Sequence, residues 1–314
     1  MRVLIIGSGA TGGFIGARLI EKKIDVTFLT RTSRKVQLVT RGLHLSSQFG
    51  RFRQPVSAIT PDELSGPYDL IVVATRAHRY EASLLLAAPA IGRDTILMPM
   101  VEGARHLVYV PGEAGPRMIG AVLEGRILLD ADGALIQRPP VAELHIGALR
   151  TDDEPLARKL VEMFNARGLK AIESPRIRSQ CWERFSFVAA GIATAFLKQR
   201  PLRDAVRFVH GPGYLQDMLK EGYAIGSAAG FAPDMTRIGK YERAFWLAGR
   251  PVAEPAQLSD DGSAGDEAGF LLAQMIGFAR HAGARANLFN RTWEEVMSPK
   301  AATAWNRPTA SSEV

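Results

Sequence analysis

The chain has 314 residues, 46% hydrophobic and 23% charged, a globular rather than a disordered composition. That length suits two domains better than one core, and no apolar run approaches the roughly 20 residues needed to span a bilayer. Lys and Arg number 39 against 32 Asp and Glu, a formal net charge of +7 at pH 7. No nucleic-acid-binding motif accompanies that charge, so an anionic ligand and a solvated surface account for it; neither nucleic acid nor a membrane is expected as a partner. The single cysteine, Cys181, excludes an internal disulfide. A strand begins at once, Met1-Arg2-Val3-Leu4-Ile5-Ile6, with no signal-peptide pattern, and the expected compartment is the cytoplasm.

Up to about residue 150, short apolar runs alternate with amphipathic stretches, which predicts an α/β domain with a parallel sheet and crossover helices. The expected strands are Val3–Ile6, Asp25–Thr30, Leu70–Ala74, Thr95–Met100 and Met118–Val122. Arg126–Asp130 and Ala134–Gln137 flank Asp132-Gly133 and predict a hairpin, with a further strand at Glu143–Gly147. Asp152-Asp153-Glu154-Pro155 opens a helix through Ala166, and Leu169–Glu173 is one more strand. Ser174-Pro175 marks the expected boundary, giving domains 1–174 and 175–314. Beyond it the periodicity is helical, over Arg178–Lys198, Gly213–Ala229, Met235–Ala248 and Gly265–Ala282, with Gly230 and Gly283 at helix stops. Gly249–Ala264 reads as a long loop and the stretch after Pro299 as a frayed tail.

The chemistry is concentrated at the start. Gly7-Ser8-Gly9-Ala10-Thr11-Gly12-Gly13 follows one strand and opens a helix, inside a βαβ unit of about 30 residues, the context that makes a dinucleotide-binding fingerprint credible. Gly7 permits a tight turn, Gly9 lets backbone approach a pyrophosphate, and Gly12 lets helix pack on strand. Ser8, Ala10 and Thr11 complete the loop, and the helix N-terminus supplies donors and positive potential. An NAD site wants an acid at the end of the second strand; here that end reads Thr30-Arg31-Thr32-Ser33-Arg34-Lys35. Arg31 is therefore assigned to a 2′-phosphate, with Arg34 or Lys35 as helpers, and NADP(H) is the expected cofactor. Arg76, at the exit of a strand, is a further cofactor contact or a surface arginine. His78 is an alternative acid or a loop histidine. Cys181 reads as a small buried hydrophobe and His281 as a cation at a helix end. No metal-ligand spacing is evident.

With those residues the chain resembles the ketopantoate reductase (2-dehydropantoate 2-reductase) family along nearly its full length. The resemblance rests on the Gly7–Gly13 loop, Arg31, Leu70–Ala77, the helix around Trp182, and the stretch from Glu267 to Gly283. It implies a Rossmann domain followed by an all-helical domain like that of 6-phosphogluconate dehydrogenase. It also implies reduction of a 2-oxo acid to a 2-hydroxy acid, with hydride passing from NADPH to the carbonyl carbon in an interdomain cleft. The family's general-acid lysine falls on Arg184, which keeps the charge but donates a proton poorly near neutral pH. Its asparagines fall on Val188 and Ile192, its Asn-Gly pair on Met100-Val101, and a substrate serine near Pro255-Ala256. Glu267 alone of the polar set is retained, and Arg184 and Glu267 are the expected catalytic pair. A relayed water or His78 is the expected proton source. The function expected is NADPH-dependent reduction of a 2-oxo acid or related small anionic carbonyl compound, leaving room for a homodimer through the helical domain. True ketopantoate reduction, or an NADP(H)-binding sensor without turnover, are the alternatives.

Overall fold

The fold was analysed in a computed structural model that describes residues 1–112, 115–130, 132–198, 213–239 and 263–297, with backbone alone at 140, 192–198 and 263–266. It divides into two compact units, Met1–Cys181 and Trp182–Val314.

The first unit is built on β1 (Arg2–Ile6), β6 (Leu70–Val73) and β7 (Ile96–Pro99), uninterrupted apolar runs buried over almost their whole length. Such runs suit a parallel sheet covered on both faces. β1 pairs in parallel with β6 and with β2 (Asp25–Leu29), and β7 pairs in parallel with β6. Helix α1 (Ala10–Glu21) connects β1 to β2. It packs close enough that a Cβ on Gly16 would stand 2.3 Å from the Phe28 ring.

Residues 32–69, to which the sequence assigned no element, hold α2 (Thr32–Thr40), an antiparallel pair β3 (Leu43–Ser47) and β4 (Gly50–Gln54), and β5 (Ser57–Ile59) on the edge beyond β2. α3 (Tyr80–Leu86) and the single turn α4 (Arg105–Val108) follow β6 and β7. Two expected pairs of short strands are each one long strand. β8 (Arg117–Leu129) absorbs Met118–Val122 and Arg126–Asp130, and β9 (Leu135–Ala148) absorbs the other two. Glu124-Gly125 looks like a break, but the antiparallel ladder between β8 and β9 resumes past a register shift there. The turn stands where expected: Gly133 has φ +78°, and Asp130 accepts from Ala134 N at 2.7 Å.

β9 then pairs in parallel with β10 (Leu169–Glu173), reached through α5 (Glu154–Phe164). Lys22 of the α1 C-cap donates to the carbonyls of Glu162, Met163 and Asn165, satisfying the end of α5. The sheet runs β4-β3-β9-β8-β7-β6-β1-β2-β5, with β10 beside β9.

Among the described residues the second unit is helical. It comprises most of α6 (Ile177–Lys198), α7 (Tyr214–Ala228), α8 (Ser263–His281) and α9 (Asn287–Val296), the last not expected from sequence. Trp182 is fully buried at its centre. Its ring stacks on Phe231 at 4.7 Å and meets Phe278 edge-on at 4.9 Å, while Nε1 donates to Gly222 O at 2.9 Å. Glu221 caps α9 by accepting from Leu288 N and Phe289 N. Gly230 and Gly283 have φ +85° and +65°, as their place at helix stops requires. The expected helix Met235–Ala248 is described only as far as residue 239; its remainder, the loop Gly249–Ala264 up to residue 262, and the tail lie outside the described residues.

Candidate functional site

Parallel strands share one carboxyl edge, and the chain reverses direction along the sheet between β1 and β6, the place where open α/β sheets bind ligands. Loops from β1, β2, β6 and β7 leave at this edge, carrying Gly7–Gly12, Arg31, Arg76 and Met100.

The three fingerprint glycines have different reasons to be there. Gly7 has φ +97°, and a Cβ on it would lie 2.7 Å from Ala74 O at the exit of β6. A Cβ on Gly12 would stand 2.0 Å from Gly7 O. Both are demanded by the fold. Gly9 has φ −75° and ψ −161°, open to any residue, and nothing lies within 4 Å of its would-be Cβ. The protein leaves that space clear, with room for a ligand to approach the backbone. Gly9 is also the N-cap of α1, whose first turn has neither a side-chain cap nor an acid. Its first amides and the positive end of the helix dipole therefore face the loop.

Around the loop Ser8 is buried, and its Oγ shares a hydrogen bond of 3.4 Å with Thr30 Oγ1. Arg31 is the exposed N-cap residue of α2. The expected helpers separate. Lys35 pairs with Glu63, whose carboxyl is pulled down to about 2 by Lys35 and by hydrogen bonds from Thr60. Lys35 thus belongs to a structural cap. Arg34 instead reaches the loop, its Nε 3.3 Å from Ser8 Oγ. Arg76 is half-buried, two residues past Ala74, and opens the short turn Ala77–Arg79. His78 Nε2 accepts from Arg79 Nε at 3.2 Å.

Residues 3–150 match the family model described as Ketopantoate reductase PanE/ApbA. Over that span, just under half of the chain, it is similar to the ketopantoate reductase family, a group of NAD(P)-dependent oxidoreductases. It is 29% identical over 203 residues to the uncharacterized oxidoreductase YkpB of Bacillus subtilis, covering 64% of this chain and 67% of that one. It is 28% identical over 204 residues to a 2-dehydropantoate 2-reductase of Mesorhizobium japonicum, covering 58% and 62%. These matches thus span about two thirds or less of each relative's own length. Among solved structures, a D-mandelate dehydrogenase with NADH and anilino(oxo)acetate superposes with a TM-score of 0.83 at 17% identity, over 98% of this chain and all of that one.

The two expected catalytic residues lie on helices of the second unit. Arg184 is half-buried on α6, its guanidinium carbon 5.7 Å from the centroid of the Phe187 ring. Glu267 is 3% exposed. It is the fifth residue of α8, past the first turn in which the sequence placed it. Val188 and, in the first unit, Met100 are buried apolar residues. The Ile192 side chain and Pro255-Ala256 lie outside the described residues. Cys181 is buried, as a small hydrophobe would be.

One cluster escaped the sequence. Glu124 of β8 stands opposite Glu143 of β9, and His145, two residues along, shares their face. His145 Nε2 lies 3.7 Å from Glu143 and 4.0 Å from Glu124. Cross-strand neighbours 19 and 21 positions apart give no linear spacing to find. No helix of the described residues is long and apolar enough to cross a membrane.

Proposed function

We propose that the protein is an NADPH-dependent reductase of a 2-oxo acid or a related small anionic carbonyl compound. The observation that carries this reading is the open cradle at Gly9, over the uncapped start of α1 and beside the basic run Arg31–Lys35. Gly7, Ser8, Gly9, Ala10, Thr11 and Gly12 would hold the pyrophosphate through backbone amides. Arg31 would grip the 2′-phosphate with its planar fork, and Arg76 would contact the cofactor from the exit of β6. When bound, the nicotinamide supplies the hydride. Arg184 orients the substrate carboxylate or polarises its carbonyl, since an arginine holds charge well and releases protons poorly. Glu267, a carboxylate kept inside the helical unit, positions the substrate.

Met100 and Val188, where family members carry asparagines, favour a substrate less polar than ketopantoate. A site that lacks the partners of a substrate hydroxyl loses much of its discrimination for it. The fold itself admits other acids, since a D-mandelate dehydrogenase shares it. An NADPH-oxidation screen across 2-oxo acids, with ketopantoate and phenylglyoxylate among them, tests the proposal. Oxidation with a less polar acid supports it; oxidation with ketopantoate alone makes the protein a true 2-dehydropantoate 2-reductase. Tight NADPH binding without turnover on any of them makes it a sensor.

A further inference from the structure

One cation at the glycine loop is held unlike its neighbours. The Arg34 guanidinium is half-buried, and its acceptors are all uncharged. Nε donates to Ser8 Oγ at 3.3 Å, Nη2 to Ser8 O at 3.3 Å and to Gly133 O at 3.2 Å, and Nη1 to Gln37 Oε1. Among the described residues no carboxylate pairs with it, whereas Lys35 pairs with Glu63 and Arg18 with Glu21. Burial pushes Arg34 down from its ordinary value, the mark of a charge held partly out of water. Placing a cation this way is unfavourable unless an anion arrives to compensate it.

Its donors are already committed. A guanidinium has five N–H groups, and four hydrogen bonds go to the protein. The two-pronged grip that holds a phosphate directly is therefore spent on Ser8, Gln37 and Gly133, leaving charge and loop geometry as what Arg34 contributes. The hairpin turn joins in: Gln37 Nε2 donates to Asp132 O at 2.6 Å. A Cβ on Gly133 would stand 2.4 Å from Arg34 Nη1.

We propose that Arg34 is a positioning and specificity-determining residue, which fixes Ser8 of the glycine loop against the 132–133 turn and sets an uncompensated positive charge beside the 2′-phosphate of the adenosine ribose. This rests on the NADPH reading above. It divides the labour: Arg31 supplies the direct fork, and Arg34 supplies the field and the shape of the loop.

The test is fluorescence titration of the full-length protein with NADPH and with NADH, in the absence of substrate. Arg34→Gln removes charge and fork together. It should weaken NADPH about tenfold and NADH about threefold, so that the preference for NADPH falls. Arg34→Lys keeps the charge, and Gly133→Ala keeps the whole guanidinium but crowds it out of place. Each should weaken both nucleotides by about the same factor, roughly threefold, and leave the preference intact. An unchanged preference in Arg34→Gln overturns the electrostatic half of the proposal. Unchanged affinities for both nucleotides in Gly133→Ala overturn the positioning half, and that variant carries the test should Arg34→Gln fail to fold. Wild-type protein that binds neither nucleotide overturns the cofactor reading itself, a result visible before any variant is made.

Discussion

The sharpest consequence of the loop geometry is that two alanine substitutions three residues apart should fail in opposite ways. A Cβ on Gly12 would lie 2.0 Å from Gly7 O and 3.1 Å from the Ala74 Cβ, so either α1 or the β1 exit must shift by more than an ångström. Overpacking of that kind costs about 3 kcal/mol or more, well above the roughly 1 kcal/mol that alanine returns by helix propensity. At Gly9 the backbone angles suit alanine and no atom lies within 4 Å of the new methyl group. Folding should be unaffected, or favoured by about 0.5 kcal/mol because the unfolded chain loses freedom. A phosphate oxygen bound to a loop amide sits about 3 Å from its nitrogen, so that methyl enters the space the cofactor needs. Gly9→Ala should therefore melt like wild type yet lose at least about tenfold in NADPH affinity, or about 1.4 kcal/mol. Gly12→Ala should melt lower with or without nucleotide. The assay is thermal unfolding beside calorimetric titration of each variant. Wild-type affinity in Gly9→Ala would refute the assignment of the cradle.

The other expectations are separate from that one. NADPH should bind at least about tenfold more tightly than NADH, and Arg31→Ala should remove most of that difference by weakening NADPH selectively, as calorimetric titration would read. Glu267→Gln should lower turnover on the true substrate by roughly ten- to a thousandfold with little change in NADPH affinity; wild-type kinetics would leave Arg184 as the charged candidate. The fully buried His106 is held at about 4, against an ordinary 6.5, chiefly by burial and then by the Arg178 charge. Between those values the unfolded chain takes up the proton and the folded one does not. Stability should thus be full above pH 6.5 and fall by about 3 kcal/mol as pH drops to 4. Chemical denaturation of His106→Leu across that range should show the slope reduced.

Much of the architecture was written in hydrophobic patterning, because β1, β6 and β7 are buried on both faces and read as unbroken apolar runs. What was missed has local causes. Strands β3 and β4 bury only alternate or single residues such as Leu43, Leu45 and Phe52, too sparse a signal between polar neighbours. β8 and β9 were cut in two because Glu124-Gly125 and Pro139-Pro140 look like ends in a single strand. A bulged antiparallel ladder can pass through such residues. Neither feature exists until a second strand is present.

The same distinction separates the glycine loop from the residues proposed to meet the substrate. Cofactor binding by a glycine loop is largely backbone chemistry, in which each position is restricted by sterics. Gly7 and Gly12 therefore announce a close packing, and Gly9 a clearance, that the structure shows at those positions. Arg34 shows where reading by position falls short. Lys35 and Arg34 were equivalent helpers in the sequence, yet one cation is consumed by the cap at Glu63 and the other is brought over Ser8. Choosing between them needed Glu63 and Gly133, residues 28 and 99 positions away from their partners. Substrate recognition is made of such side-chain relations throughout. Arg184 and Glu267 can be named from sequence, but their chemistry depends on what each faces, and linear order does not carry that. On the proposed reading, Met100 and Val188 in place of asparagines would move information from polar contacts to shape, and shape is read by trying substrates of different size and polarity.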